Sequence, residues 1–107
     1  MAALKLQLIT PTGTVFDGVV NSVTAPGLRG RFGILTRHAP MISALQQGLV
    51  HIARDSDEVH VVIGDGLLEV ADNTITILSG IARQVASDAE AASVLALARE
   101  QSDQTAR

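Results

Sequence analysis

The sequence contains no cysteine, tryptophan or tyrosine, and its only aromatic side chains are Phe16 and Phe32. Without cysteine, the chain has no disulfide, no thiolate nucleophile and no sulfur ligand for zinc, which is compatible with a reducing compartment. Few aromatic rings and a net charge of −3 also argue against nucleic acid as a partner, because single-stranded nucleic acids bind to aromatic platforms and basic surfaces.

Long apolar runs are also missing. No run approaches the roughly 20 residues that a membrane span needs, and the N-terminus has no basic segment followed by an apolar stretch. We therefore expect a soluble, unprocessed chain without direct membrane insertion. Its 107 residues, 47% of them hydrophobic, suffice to bury roughly 65% of the unfolded surface in a single core. Because aromatic residues are scarce, that core must be aliphatic.

Apolar and polar residues alternate at the start of the chain, and this period of two predicts a strand with one buried face. The TPTG sequence at residues 10–13 then predicts a turn into a second strand, because proline presets φ and glycine tolerates positive φ. Residues 19–25 are predicted to form one strand that ends at Pro26-Gly27, with Val19 and Val23 on the same face. Short strands at this spacing predict a sandwich or barrel, and six more apolar runs follow: 32–35, 41–45, 49–54, 59–63, 67–70 and 74–78.

Two histidines raise the possibility of a metal site. The polar residues 55–58 predict a hairpin that pairs Arg54 with Val59 and makes His51 and His60 diagonal neighbours on one face, about 7–8 Å apart. Asp57 or Glu58 is then the obvious third ligand. A catalytic zinc site requires three protein ligands and an oriented second shell, so we favour solvent-facing histidines and expect neither a metal nor a cofactor.

Catalytic and nucleotide-binding motifs are not found. The sequence has no phosphate-binding GxxxxGK[ST] loop, and Gly64-Asp65-Gly66 lacks the third glycine and following helix of a dinucleotide site. That segment instead predicts a turn between two apolar strands. Ser43 is the serine nearest to His38 in sequence, but no GxSxG elbow surrounds it. We therefore predict no catalytic residue and no nucleotide-binding residue.

The composition changes after Gly80, where alanine, glutamate, leucine and arginine become frequent and predict a helix from about Asp88 to Gln101. Ser87 and Glu90 have the spacing of a capping box. A helix of this length needs a packing surface, and either the sandwich or a partner must supply it. Residues 102–107 are predicted to fray. The apolar stripe of the helix consists of Ala91, Val94, Leu95 and Ala98.

Residues 30–41, GRFGILTRHAPM, combine two glycines, two arginines, a histidine and a proline. Glycine allows close backbone approach, proline is rigid, and the charged side chains are exposed hydrogen-bond donors. These are properties of a docking surface.

Four segments, TPTGTVFDG, VTAPGLRGRFGILTRHAP, GDGLLEV and DNTITIL, resemble in order and spacing the epsilon subunit of F-type ATP synthases. The resemblance covers residues 4–82, and the G-x-x-G-x-F-G-x-L-x-x-H-A-P run of residues 27–40 is its most distinctive part. It implies a flattened ten-stranded antiparallel β-sandwich over residues 1–84, followed by a short helical segment over residues 85–107.

The resemblance also implies a non-catalytic rotor subunit of the central stalk, peripheral on the cytoplasmic face of a bacterial inner membrane. Such a subunit links the gamma subunit to the polar loops of the membrane-embedded c-ring. Position 31 is often acidic in this family, and Pro-Gly is more usual at positions 36–37 than the Thr-Arg found here. The gamma-binding residues that the resemblance implies are Thr10, His38, Ala39, Pro40 and Ser43, and the ring-binding residues are Arg29, Gly30, Arg31 and Phe32.

The C-terminal region departs from the family. Typical bacterial members carry two C-terminal helices, the second of which can extend into the alpha/beta catalytic head and block hydrolysis. Only one helix fits here, so any contact with the head must use it, and we expect little or no inhibitory function. The family's ATP-sensing pattern ends in Asp-x-x-Arg-Ala, whereas residues 87–92 read SDAEAA and lack the arginine. We therefore expect weak or no ATP binding by this subunit.

Overall fold

The computed structural model describes residues 3–105. Over these residues, ten strands precede one helix: β1 (Leu4–Thr10), β2 (Gly13–Val20), β3 (Ser22–Gly27), β4 (Gly30–Ile34), β5 (Met41–Leu45), β6 (Gly48–Ala53), β7 (Glu58–Ile63), β8 (Gly66–Ala71), β9 (Thr74–Ser79), β10 (Ala82–Val85) and α1 (Asp88–Thr105).

The strands form a nearly closed sheet of two layers. The hydrogen-bonded order is β10-β7-β6-β3-β5-β8-β9-β1-β2, and β4 pairs with β3. One layer contains β10, β7, β6, β3 and β4, and the other contains β5, β8, β9, β1 and β2. The cross-strand pair of Gly27 with Leu45 joins the layers. The expected ten-stranded β-sandwich is confirmed, with the added detail that β1 and β9 run parallel.

The core between the layers is aliphatic, as the composition predicted. Phe16 and Phe32 are only partly buried and lie at its margin. Burial of each aliphatic side chain stabilises the folded state by about 1.5–3 kcal/mol. The inward-facing side chains of the strands therefore supply most of the driving force for folding. The side chains with at most 1% exposure include Leu4, Leu6, Leu8, Val23, Ile34, Leu45, Val50, Ile52, Val61, Ile63, Leu68, Val70, Ile75 and Ile77.

The prediction of one strand over residues 19–25 is wrong. β2 ends at Val20, β3 begins at Ser22, and Val19 is 57% exposed whereas Val23 is fully buried. Asn21 marks the break: its N–H donates to Ala53 O at 2.7 Å, and its side chain donates to Asp55 Oδ1 at 2.8 Å. Because the chain passes from one layer to the other at this residue, the inward-facing alternation restarts.

The β6–β7 hairpin has a different register from the predicted one. Ala53 pairs with Glu58, and the loop comprises residues 54–57. The Arg54 N–H donates to Asp57 O at 2.9 Å, and its guanidinium donates to both carboxylate oxygens of Asp57 at 2.7 and 2.6 Å. The side-chain hydrogen bonds from Arg54 hold the pKa of the Asp57 carboxyl below its usual value. The four-residue loop lies one position nearer the N-terminus than predicted, at residues 54–57 instead of 55–58. The pairing therefore shifts by two positions, which preserves the faces.

Helix α1 begins at Asp88 as predicted but continues to Thr105. The expected end at Gln101 is therefore wrong; of residues 102–107, which are predicted to fray, residues 106–107 lie outside the described part of the chain. The prediction ended the helix where apolar periodicity ended, but a helical backbone continues until a stop signal such as glycine or proline. The four-residue strand β10 was also missed, because a single buried residue, Val85, leaves no alternation to detect.

The predicted cap at Ser87 is confirmed, although Glu90 reaches back to the residue before the cap. The Glu90 N–H donates to Ser87 Oγ at 3.2 Å, and Glu90 Oε2 accepts from the N–H of Ala86 at 2.9 Å. The helix packs on the outer face of β7 and β10, so the sandwich itself supplies the packing surface. The residues of this second, smaller cluster are Val62, Val85 and Ala91, with Leu49, Val94 and Leu95 partly buried around them.

Gly66 is the most constrained glycine of the turn between β7 and β8, because a Cβ there would overlap the carbonyl oxygen of Leu78 on the neighbouring strand. We predict that Gly66→Ala lowers the free energy of unfolding by about 1–3 kcal/mol. Gly80→Ala is the matched control, since a Cβ there meets no atom within 4 Å, and it should be neutral or slightly stabilising. Urea denaturation measures the free energy of unfolding of both variants. Equal values for Gly66→Ala and Gly80→Ala would contradict the close approach of β8 and β9 at Gly66.

Candidate docking surfaces

The His38 turn, residues 35–40, connects β4 to β5 and rests on the turn between β8 and β9. Arg37 has a φ of 66°, and its N–H donates to Asn73 Oδ1 at 2.6 Å. Asp72 and Asn73 have φ values of 51° and 57°, which are typical of the two-residue type I′ hairpin turn. His38 Nδ1 lies 2.8 Å from Ala39 O. These hydrogen bonds hold the turn in one conformation.

The β3–β4 hairpin forms a second projecting element. Gly27 pairs with Gly30, so Leu28 and Arg29 occupy the tip, where Leu28 is 63% exposed. The Phe32 ring covers Gly27 so closely that a Cβ on this glycine would lie 2.8 Å from Phe32 Cε1. Phe32 therefore packs within the hairpin and supports its tip.

Arg31 extends from the same hairpin towards the sheet. Its Nη1 donates to Leu49 O at 2.7 Å, and its Nη2 lies 3.5 Å from Thr24 O. The guanidinium thus stabilises carbonyl groups of β6 and β3. Arg29 lies in the exposed tip.

The structure does not bring the expected gamma-binding residues into one cluster. Cross-strand pairs connect Gly30 with Gly27, Gly27 with Leu45, Leu45 with Gly66, and Gly66 with Ser79. Thr10 lies at this end of the sheet, because Ile9 pairs with Leu78. The His38 turn lies at the opposite end, beside Asn73, and a five-residue strand of about 16 Å separates the two.

Two of the expected residues also have limited exposure. Thr10 is 8% exposed, and its Oγ1 donates to Gly13 O at 3.2 Å, so it stabilises the β1–β2 turn. Ser43 is half-buried and alternates with Met41 and Leu45 on the inward side of β5. The opposite side of β5 carries Ile42, which is 68% exposed.

Between the two ends lies an apolar surface that the sequence analysis did not identify. Ile42, Leu67 and Leu78, which we call the outer apolar patch, are 68%, 43% and 46% exposed on the outward side of β5, β8 and β9. Leu67 pairs with Leu78 across β8 and β9, and Glu69 and Thr76 line the same shallow depression. A signal was available: adjacent apolar residues, such as Leu67-Leu68 and Ile77-Leu78, must place one member on each face of a strand.

His51 and His60 form part of a polar cluster on the other layer. They are directly opposite each other, not diagonal as predicted, and their ring centroids are 4.8 Å apart. His51 Nε2 lies 3.1 Å from Glu58 Oε2, and His60 Nε2 lies 3.2 Å from Asp88 Oδ1. Their side chains are 29% and 12% exposed, so the prediction of solvent-facing histidines is also wrong, because the start of α1 covers this face.

Of the helical segments in the described residues 3–105, none combines the length and apolar character required to cross a membrane.

Residues 3–85 match the protein family described as "ATP synthase, Delta/Epsilon chain, beta-sandwich domain". The chain is 40% identical over 79 residues to the ATP synthase epsilon chain of Helicobacter pylori, a match that covers 74% of this chain and 64% of the relative. It is 37% identical over 102 residues to that of a Sulfurovum species, covering 94% and 80%. The chain thus spans slightly less than two thirds of the Helicobacter relative.

Solved structures share the fold. The chain superimposes on a chain from the cryo-EM structure of Euglena gracilis mitochondrial ATP synthase, which includes its c-ring, with a TM-score of 0.74 at 21% identity, covering 94% of this chain and 66% of the other. It also matches a chain from the central stalk and c-ring of the Tetrahymena thermophila mitochondrial ATP synthase, with a TM-score of 0.65 at 21% identity, covering 76% and 66%. At this level of identity, the comparison establishes the fold alone.

Position 37 allows a direct test of the His38 turn. Arg37 adopts a left-handed conformation, which costs an L-residue with a Cβ about 1 kcal/mol. We predict that Arg37→Gly unfolds with a free energy about 1 kcal/mol higher than Arg37→Ala, which removes the same charge but keeps the Cβ. Thermal and urea denaturation measure the difference. Equal stabilities of the two variants would mean that the turn does not hold this conformation in solution.

Proposed function

The chain belongs to the epsilon-chain family of ATP synthases, and we propose that it is a non-catalytic rotor subunit of the central stalk. In this role the sandwich binds the gamma subunit through one surface and the polar loops of the c-ring through another. The subunit would be peripheral on the cytoplasmic face of a bacterial inner membrane. The names of its relatives support the proposal, as does the presence of two separate candidate docking surfaces on one rigid scaffold.

The outer apolar patch carries the gamma-binding part of this proposal. Ile42, Leu67 and Leu78 place three exposed aliphatic side chains on neighbouring strands, and contiguous apolar surface with a polar rim is typical of protein interfaces. Glu69 and Thr76 supply polar groups within the same depression. Because the patch lies on a sheet, its shape is fixed before binding, which lowers the entropic cost of association.

The resemblance-derived gamma contacts fit around this patch with distinct roles. The His38-Ala39-Pro40 turn borders the patch at one end, and the turn that Thr10 stabilises borders it at the other. Ser43 lies behind Ile42, on the inward side of the same strand. We therefore assign direct contact to the His38 turn and to the patch, and a supporting role to Thr10 and Ser43.

The β3–β4 hairpin is the proposed ring-binding element. Arg29 is exposed at its tip, Gly30 has a φ of 128° that favours glycine, and Phe32 supports the loop from below. Arg31 has a different position, because its guanidinium donates to Leu49 O at 2.7 Å. Backbone carbonyl groups of the sheet thus bind the Arg31 guanidinium, although this position is often acidic in the family. We therefore assign the ring contact to Arg29.

Helix α1 is the proposed route for any contact with the alpha/beta head. Its 18 residues span about 27 Å at 1.5 Å per residue. Ala91 is buried against the sandwich, and Val94 and Leu95 are partly buried beside it. We propose that α1, docked in this way, itself contributes little or no inhibition of hydrolysis.

We predict that Leu67→Glu weakens binding of the gamma subunit at least about tenfold, because it places a charge in the centre of the apolar interface, where a hot-spot substitution costs about 2 kcal/mol or more. Leu97→Glu is the matched control: Leu97 is 60% exposed, but it lies on α1, away from the patch. Titration of each purified variant into the gamma subunit measures the dissociation constant. Wild-type affinity of Leu67→Glu, with its fold intact by circular dichroism, would contradict the proposed gamma-binding surface.

A further inference from the structure

We propose that His51, Glu58, His60 and Asp88 form a binding site for Zn²⁺ that fastens the start of α1 to the sandwich. Three of the residues come from the β6–β7 hairpin and the fourth is the first residue of the helix. This inference does not depend on the rotor function, because it concerns a different face of the molecule and a different ligand.

The hairpin register creates the cluster. His51 pairs directly with His60, which brings the two rings to an edge-to-face arrangement with their centroids 4.8 Å apart. One ligand atom from each of His51, Glu58 and His60 can be chosen so that all three lie within 4.8 Å of one another. The predicted register would have separated the rings by two positions.

Two of the observed separations match those of tetrahedral zinc coordination. Zn–N and Zn–O bonds are about 2.0–2.1 Å long, so neighbouring ligand atoms of a tetrahedral site are about 3.3 Å apart. His51 Nε2 lies 3.1 Å from Glu58 Oε2, and His60 Nε2 lies 3.2 Å from Asp88 Oδ1. Each histidine therefore presents Nε2 to a different carboxylate at the required spacing. The ligand atoms of His51, Glu58 and His60, which lie within 4.8 Å of one another, would have to close around a single ion.

The donor set and its surroundings select the class of ion. Two imidazole nitrogens with two carboxylates suit zinc, whereas Mg²⁺ and Ca²⁺ prefer oxygen ligands alone. Arg31 and Asp88 border the same shallow cavity beside His51. Two carboxylates and one guanidinium leave a net negative charge in this region, which attracts a divalent cation. The low exposure of His60 limits competition from water.

Coordination by Asp88 would couple the metal to the helix. The Asp88 side chain is 78% exposed, and its contact with His60 joins the first turn of α1 to β7. The capping hydrogen bond between Ser87 and Glu90 lies beside this contact. A bound ion would replace this exposed contact with a coordinate bond to Asp88 and three coordinate bonds to side chains of β6 and β7. Zn²⁺ should therefore slow the opening of α1 and leave the sandwich unchanged.

The test is calorimetric titration of ZnCl₂ into the full, untagged chain after EDTA treatment and desalting. We expect one saturable site per chain with a dissociation constant in the micromolar range or below. His51→Gln and His60→Gln should each weaken binding at least about tenfold, since even residues that only support metal ligands contribute 10–100-fold. The matched control is His38→Gln, because His38 lies in the turn between β4 and β5, beside Asn73 and outside the cluster, and it should retain wild-type affinity.

Two results would overturn the site: the absence of saturable one-to-one binding, or equal affinity in the His51, His60 and His38 variants. Hydrogen exchange with and without Zn²⁺ tests the coupling to the helix. We expect zinc to slow exchange of amides in α1 in the wild type but not in Asp88→Asn. Unchanged exchange in the wild type at saturating zinc would overturn the proposed fastening of the helix.

Discussion

The structure depends on one packing constraint: a core without tryptophan, tyrosine or any fully buried aromatic ring must be filled by aliphatic side chains, most of which occupy alternate positions along the strands. Since each small side chain fills little volume, every strand has to contribute, and the two layers close almost completely around them. The same alternation sends the other half of the residues outward. The outer apolar patch and the histidine cluster are therefore products of the pattern that builds the core.

The rigidity of the docking elements follows from this scaffold. The His38 turn is fixed by a hydrogen bond from the Arg37 N–H to Asn73, which belongs to a tight hairpin turn between two core strands. The β3–β4 hairpin is fixed by Phe32 over Gly27 and by Arg31 on Leu49 O. Both elements are thus held by backbone geometry that the buried strands determine, and binding through them requires little reorganisation.

The sequence predicted the fold class, most strands, the start of α1 and its cap, because period-two alternation and capping residues are local signals. It failed where a specific side-chain hydrogen bond or a strand pairing decides. Arg54 and Asp57 close the β6–β7 hairpin early, Asn21 divides a continuous apolar run between two layers, and β10 is recognisable only by its pairing with β7. The candidate site residues came from a resemblance, and the structure adds what the resemblance could not: Arg31 faces the sheet, Ser43 faces inward, and Ile42 and Leu67 face out.

The central claim is that one rigid sandwich contacts two neighbours at once, through the outer apolar patch and the β3–β4 tip. Because the chain has no cysteine, single cysteine substitutions can report each surface without background. The decisive measurement is the rate of maleimide labelling of Leu67→Cys and Arg29→Cys, compared between the free chain and the assembled ATP synthase. Strong protection of both positions is expected on assembly. Equal labelling of positions 67 and 29 in the free chain and in the complex would contradict it.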